Sequence, residues 1–263
     1  MSEEVGLVLA LAERLAREAG ALQRQRYESR LEIRTKSAAV DLVTEVDHAC
    51  EALIVDALSR ERPGDAILAE EGRGADSDGA RWRWVIDPLD GTTNYAHGYP
   101  RFCVSIGVEY HGAALAGVVY DPLLDELYSA RRGGGAHRNG RRLRVSAETE
   151  IGRALVATGF AYDVRRSLED NLDHFARFVK AVRAVRRDGS AALDLCYVAA
   201  GRLDGYWELK LKAWDVAAGA LIVSEAGGRV SDLAGGPAPR SGREIVASNG
   251  HLHEAMLALL SRD

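Results

Sequence analysis

Residues 84–100 read WVIDPLDGTTNYAHGYP, an apolar strand that runs into Asp87 and Asp90 with Pro88 between them and Gly91 after. A strand this apolar is built for burial, and a buried carboxylate needs a partner. Pro88 fixes φ for a turn, so the two aspartates flank a tight bend with their side chains toward one space. At about 4 Å two carboxylates repel by roughly 1 kcal/mol in water and by several times that where solvent is scarce. Two arrangements relieve the repulsion. In one, Asp87 begins an Asx turn and Asp90 caps a helix opening at GTTN. In the other, the pair holds magnesium, a hard cation whose usual company is one or two carboxylates, water and a substrate phosphate.

Other acids shift the balance toward the cation. Glu70 and Glu71 end the apolar run AILAEEG, and Asp215 follows Trp214 at the start of an apolar helix. Neither place suits an unpaired charge. Adjacent strand residues face opposite ways, so one of Glu70 and Glu71 is expected at a common site. No histidine or cysteine accompanies the acids, which favours magnesium or manganese over zinc. Gly91 to Asn94 open a helix whose N–H groups suit an anion such as phosphate.

The remaining pattern is layered. Apolar residues at three- and four-residue intervals predict helices over 4–26 and from His48 to Pro63, separated by a short strand LEIRT and a polar loop, KSAAVDLVTEVD. AILAEEG, WRWVID, FCVSIGVEY, AALAGVVYD and ELYSARR read as strands of a largely antiparallel sheet, followed by a turn-rich connection, GGGAHRNGRRL. Beyond residue 150, strands at ALVATGF, LDGYWEL and EIVASN alternate with helices at 167–182, 191–201, 214–228 and 251–263. The expected fold is α/β or α+β, one domain over 1–263 in two halves of about 1–150 and 151–263.

Composition excludes several classes. No apolar run approaches the roughly 18 residues of a membrane span, and the acidic, interrupted start MSEEVGLVLALAERLAREAG is neither a secretory signal nor a transit peptide. The expected location is the cytoplasm. Cys50, Cys103 and Cys196 lie far apart in apolar runs and read as core residues. A net charge of −5 argues against a dedicated nucleic-acid binder, and the arginines of GGGAHRNGRRLR and AVRAVRRDGS read as solvated surface. His97 reads as structural or rim-lying, and Trp82 and Trp84 share one buried strand face.

DPLDGTTNY together with WDVAAGALIVSEAGG resembles the two signature motifs of the inositol monophosphatase family. The order of DLVTEVD, ILAEEG, WVIDPLDGTTN, GSAALDLC and YWE extends the resemblance over nearly the whole chain. It implies a layered α/β/α/β/α sandwich, also seen in fructose-1,6-bisphosphatases, and a magnesium-dependent, lithium-sensitive phosphomonoesterase that forms a homodimer. Carried over by motif, Glu70, Asp87, the carbonyl of Leu89, Asp90 and Asp215 hold two or three Mg2+, with Mn2+ as a substitute. Asp47 and Thr92, with Glu70, activate and orient the attacking water. The N–H groups of Gly91 and Thr92 grip the phosphate, while Gly189, Ser190, Ala191, Glu208 and Asp215 face the substrate's hydroxyl-bearing part. KSAAVD is a mobile loop for an extra metal.

Tyr95 where Phe is common, Ser190 where Thr is common, and Lys210 and Lys212 before Trp214 depart from the pattern. They bear on which small phosphorylated polyol or sugar is cleaved. Histidinol phosphate, fructose 1,6-bisphosphate and adenosine 3',5'-bisphosphate stand beside inositol 1-phosphate. The contrasting reading is a regulatory protein of this fold that acts through RNA or a transcription complex.

Overall fold

A computed structural model describes residues 2–77 and 80–261. The first helix, α1 (Ser2–Arg26), buries Val8, Ala12, Leu15, Ala16 and Ala19, the stripe its periodicity requires. The segment expected as a loop is shorter than its sequence suggests. β1 (Ile33–Thr35) pairs antiparallel with β2 (Leu42–Thr44), and α2 (Glu45–Glu61) begins at once. Its early start has a local cause: the Thr44 hydroxyl accepts from the Val46 N–H while Asp47 reaches back to the Thr44 N–H, a capping box.

β3 (Ala66–Ala69), β4 (Trp82–Asp90), β5 (Cys103–Tyr110), β6 (Ala113–Asp121), β7 (Glu126–Arg131), β8 (Gly135–Arg138) and β9 (Arg141–Arg142) form a seven-stranded sheet in chain order. The first pair is parallel and the rest antiparallel. A one-turn helix, α3 (Thr92–Ala96), follows β4. The turn-rich connection at 133–143 is itself a hairpin, β8–β9, with Asn139 and Gly140 in left-handed conformation at its tip.

The second sheet has the order β11–β10–β12–β14–β13. Its strands are β10 (Leu155–Thr158), β11 (Ala184–Arg186), β12 (Gly205–Leu209), β13 (Arg229–Ser231) and β14 (Glu244–Ser248), and its helices are α4 (Leu172–Ala181), α5 (Ala191–Ala199), α6 (Ala213–Glu225) and α7 (His253–Leu260). β11 and β13 are new relative to the sequence reading, because three residues are too few to show a period. The last helix ends at Leu260; Arg262 and Asp263, expected within it, lie outside the described residues.

Three apolar clusters separate five layers. The first joins α1 and α2 to one face of the large sheet, through Leu15, Ile54, Trp84 and Ile106. The second fills the space between the sheets with α5 and α6, and the third packs α4 and α7 on the outer face of the small sheet through Phe178, Trp207 and Met256. Trp82 and Trp84 are buried in the first, and all three cysteines are free and buried. The order is the α/β/α/β/α sandwich expected from the sequence.

The small residues of α6 have a reason in this stack. Gly107 and Gly117 are paired on neighbouring strands beneath the helix. A Cβ on Gly107 would lie 2.7 Å from the Ala217 Cβ, and one on Gly117 would lie 2.8 Å from the Ala218 carbonyl oxygen. Glycine on one side and alanine on the other let helix and sheet touch backbone to backbone, which sets the depth of Asp215 on the helix's first turn.

Candidate active site

A cleft of about 630 Å³ opens where the ends of β4, α5, β12 and α6 meet. β4 does not stop before Pro88, as a turn would require, but continues to Asp90 through a bulge. Asp87 pairs with Ser105 and Asp90 with Cys103, so three steps on β4 oppose two on β5. In a regular strand residues three apart point to opposite faces; the extra residue returns Asp90 to the face of Asp87. Asp87 also makes the expected Asx contact, accepting from the Leu89 N–H at 3.0 Å.

Asp90 does not cap α3, whose N-cap is Gly91 without a side-chain bond. It caps α5 instead: its Oδ2 accepts from the Ser190 hydroxyl at 2.7 Å and the Ala192 N–H at 2.8 Å. One carboxylate from the large sheet therefore satisfies the start of a helix packed between the two sheets. Gly91 has φ of 98°, and a Cβ there would stand 2.8 Å from the Arg101 carbonyl oxygen, so no other residue fits.

Glu70 and Glu71 lie just past β3 on a turn held by Glu51, which accepts from the N–H groups of Glu71 (2.7 Å) and Arg73 (2.8 Å). As expected, Glu70 lines the cleft and Glu71 does not. The Lys36 ammonium donates to Glu70 at 2.9 Å and also to Glu71. Asp215 accepts from the Lys212 N–H at 2.6 Å. Asp47, which sits behind the cleft wall, accepts the Thr92 hydroxyl at 2.8 Å and is itself fixed by Thr44.

The carboxylates feel one another. Burial pushes Asp87 well above the usual range, and the charges of Glu70, Asp90 and Asp215 push it further. Asp215 is raised by burial and then by Asp90 and Glu70. Burial lifts Glu70 to about 7 against the pull of Lys36, and lifts Asp90 against its bonds to Ser190 and Ala192. Deeper in, burial raises Glu208 to about 7, opposed by the Tyr206 hydroxyl that donates to it and by Arg187.

Four acids with Lys36 beside Glu70 and Arg101 acting on Asp90 make a site short of positive charge. Among the described residues no three acids close into a finished ligand set, and each of the four carboxylates has a hydrogen-bond donor of its own. The donors at hand are carboxylate and carbonyl oxygens, Leu89 O included, and this set fits a hard divalent cation.

Gly91, Thr92, Gly189, Ser190, Ala191 and Glu208 line the same cleft as the four acids. The sequence reading missed Asn94, whose side-chain NH₂ donates to the carbonyls of Arg101 (2.7 Å) and Asp188 (2.8 Å), tying α3 to the loop before Ser190. It also missed the buried Arg101–Asp194 pair at 3.2 Å and Tyr162, a half-exposed residue of the cleft lining. Arg187, read as surface, is exposed but lines the cleft mouth. His97 is exposed and outside it.

The family model described as the inositol monophosphatase family matches residues 5–263. The chain belongs to that family. A protein named inositol-1-monophosphatase from Mesorhizobium japonicum is 44% identical over 84% of each chain. Another relative, named Nus factor SuhB, from Pseudomonas aeruginosa, is 46% identical over 96% of this chain and 95% of its own. The solved inositol monophosphatase of Anabaena superposes with a TM-score of 0.89 at 40% identity, covering 98% of this chain and 96% of that one. Membership of the inositol monophosphatase family makes the chain a phosphoric monoester hydrolase of a metal-dependent class.

Proposed function

We propose that the chain hydrolyses inositol 1-phosphate or a related sugar or polyol phosphate with magnesium. The observation that carries this reading is the meeting of Glu70, Asp87, Asp90 and Asp215 in one cleft beside the first turn of α3. Those four side chains and the Leu89 carbonyl would hold two or three Mg2+, or Mn2+ in their place. Cations held there neutralise charge on the phosphoryl oxygens and lower the pKa of water.

The chain's own groups do the positioning. Asp47 accepts the Thr92 hydroxyl proton, which leaves the lone pairs of that oxygen to accept from the attacking water and aim it. The N–H groups of Gly91 and Thr92 bind the phosphate, and Gly189, Ser190, Ala191 and Glu208 bind the alcohol portion. No covalent phosphoenzyme is needed. A homodimer, inhibition by lithium and a cytoplasmic location belong to the same reading; among the described residues no helix is long and apolar enough to cross a membrane.

Purified protein is expected to release phosphate from inositol 1-phosphate with magnesium, and Asp90→Asn is expected to remove most of that activity. Full turnover in excess chelator sinks the reading. The SuhB names among the relatives support a second role, through RNA or a transcription complex. Its mark is salt-dependent RNA binding that survives Asp90→Asn.

A further inference from the structure

The buried stripe of α1 runs through Val8, Ala12, Leu15, Ala16 and Ala19, and one helical turn past Ala19 it reaches Gln23, which is fully buried as well. A primary amide is costly there unless its groups find partners. The NH₂ group donates to the Pro88 carbonyl at 2.8 Å and reaches the Cys103 carbonyl at 3.4 Å. Two carbonyls facing it fix which end of the amide is the donor, and the Oε1 meets no donor among the described residues. An apolar side chain would spare that orphan but strand the Pro88 carbonyl, so what the amide secures is Pro88.

Pro88 needs a donor because of the bulge. Asp87 pairs with Ser105 and Asp90 with Cys103, which leaves Pro88 and Leu89 without paired residues on β5. The peptide group between them is held by side chains at both ends. Its C=O accepts from Gln23, and its N–H donates to the Asp87 Oδ1 at 3.0 Å. A peptide group is planar, so fixing the carbonyl fixes the direction of the N–H, and that N–H holds the carboxylate of Asp87. The main chain of Gln23 is anchored too: its carbonyl accepts from the Tyr95 hydroxyl at 2.7 Å, which ties the last turn of α1 to α3 on the far side of the same loop.

From this geometry we infer that Gln23 is a positioning residue for the divalent cation: from behind the cleft it sets the Pro88–Leu89 peptide and, through it, the carboxylate of Asp87. The inference rests on the magnesium reading and adds to it a residue outside every motif that carries the family resemblance. Gln23 does not line the cleft, so it acts through Asp87 and touches neither substrate nor cation.

The test is the binding of Mn2+ alone to the full chain, followed by the electron paramagnetic resonance of the free ion. Gln23→Met keeps the volume and removes the donor, and is expected to weaken Mn2+ binding roughly tenfold. The Mg2+ concentration that gives half-maximal phosphate release from inositol 1-phosphate should rise in parallel, while KM for that substrate at saturating Mg2+ changes by less than about threefold. Gln23→Asn withdraws the donor by one methylene and should weaken Mn2+ binding in the same direction. Tyr95→Phe removes a buried bond to the same residue without touching Pro88, so it is expected to lower Tm and to leave Mn2+ affinity within about twofold. Wild-type affinity in either Gln23 variant overturns the positioning role, and so does an equal loss in Tyr95→Phe, which marks general loosening. Failure of both Gln23 variants to fold assigns the residue to stability and overturns the role as well. No Mn2+ binding by the unsubstituted chain overturns the magnesium reading and the role of Gln23 together.

Discussion

Asn94 is a small residue with a large reach. Its NH₂ group satisfies the Arg101 and Asp188 carbonyls, and loss of it leaves both short of a donor. Asn94→Ala is expected to cost about 1–2 kcal/mol and to lower kcat roughly tenfold, since Ser190 and Asp90 lose their backing. Thermal unfolding and steady-state kinetics on one preparation check both numbers; wild-type kcat with a lowered Tm denies Asn94 its positioning role. His253 offers a test away from the cleft. It is buried between the hydroxyls of Ser231 and Ser248, and burial with the nearby Arg229 lowers it to about 4, against the opposing pull of Glu254. The unfolded chain takes up that proton near 6.5, so stability is expected to fall by roughly 3 kcal/mol as pH drops from about 6.5 to about 4. His253→Gln should flatten that part of the stability curve. Residue types and spacing exposed the acids readily; Asn94 and Arg101 escaped because their partners lie in backbone carbonyls and in a residue some ninety positions on.

Among the elements, α6 is the most exacting. Gly107→Ala adds a methyl group where no room exists, and overpacking of this kind costs about 1–3 kcal/mol. The expected result is a lower Tm and a lower kcat, because the displaced helix carries Asp215; an unchanged kcat would uncouple helix depth from catalysis. The long periodic helices and the strands of the large sheet were legible from spacing alone, since burial on one face imprints a period on the chain. β2, β11 and β13 were not, because three residues carry no period and their pairing is decided by distant neighbours. The bulge at Asp87–Asp90 was read as a turn for a related reason: a local pattern shows that the chain deviates, but the partner strand decides how.

Across the whole molecule, the site is an expense the fold carries. Burial and the neighbouring acids raise Asp87 and Asp215, while Lys36 relieves Glu70 and Arg101 relieves Asp90. Asp87→Asn keeps the oxygen that accepts from Leu89 and removes a charge, so in chelator it is expected to raise Tm by a few degrees while abolishing turnover. Scanning calorimetry decides it; a lowered Tm would mean that the acids do not oppose one another in the fold. Nothing in the spacing of Glu70, Asp87 and Asp215 said that they meet, and it was the motif resemblance, with its long ordered set of segments, that pointed to one cleft.

Asp90 closes a joint rather than a hole: the large sheet supplies the carboxylate, and the start of α5, the helix between the sheets, supplies the hydroxyl and amide it grips. Any agent that loosens α5 from the large sheet, whether mild denaturant or hydrostatic pressure, is expected to silence the enzyme before the sheets melt, so loss of activity is an early gauge of loosening.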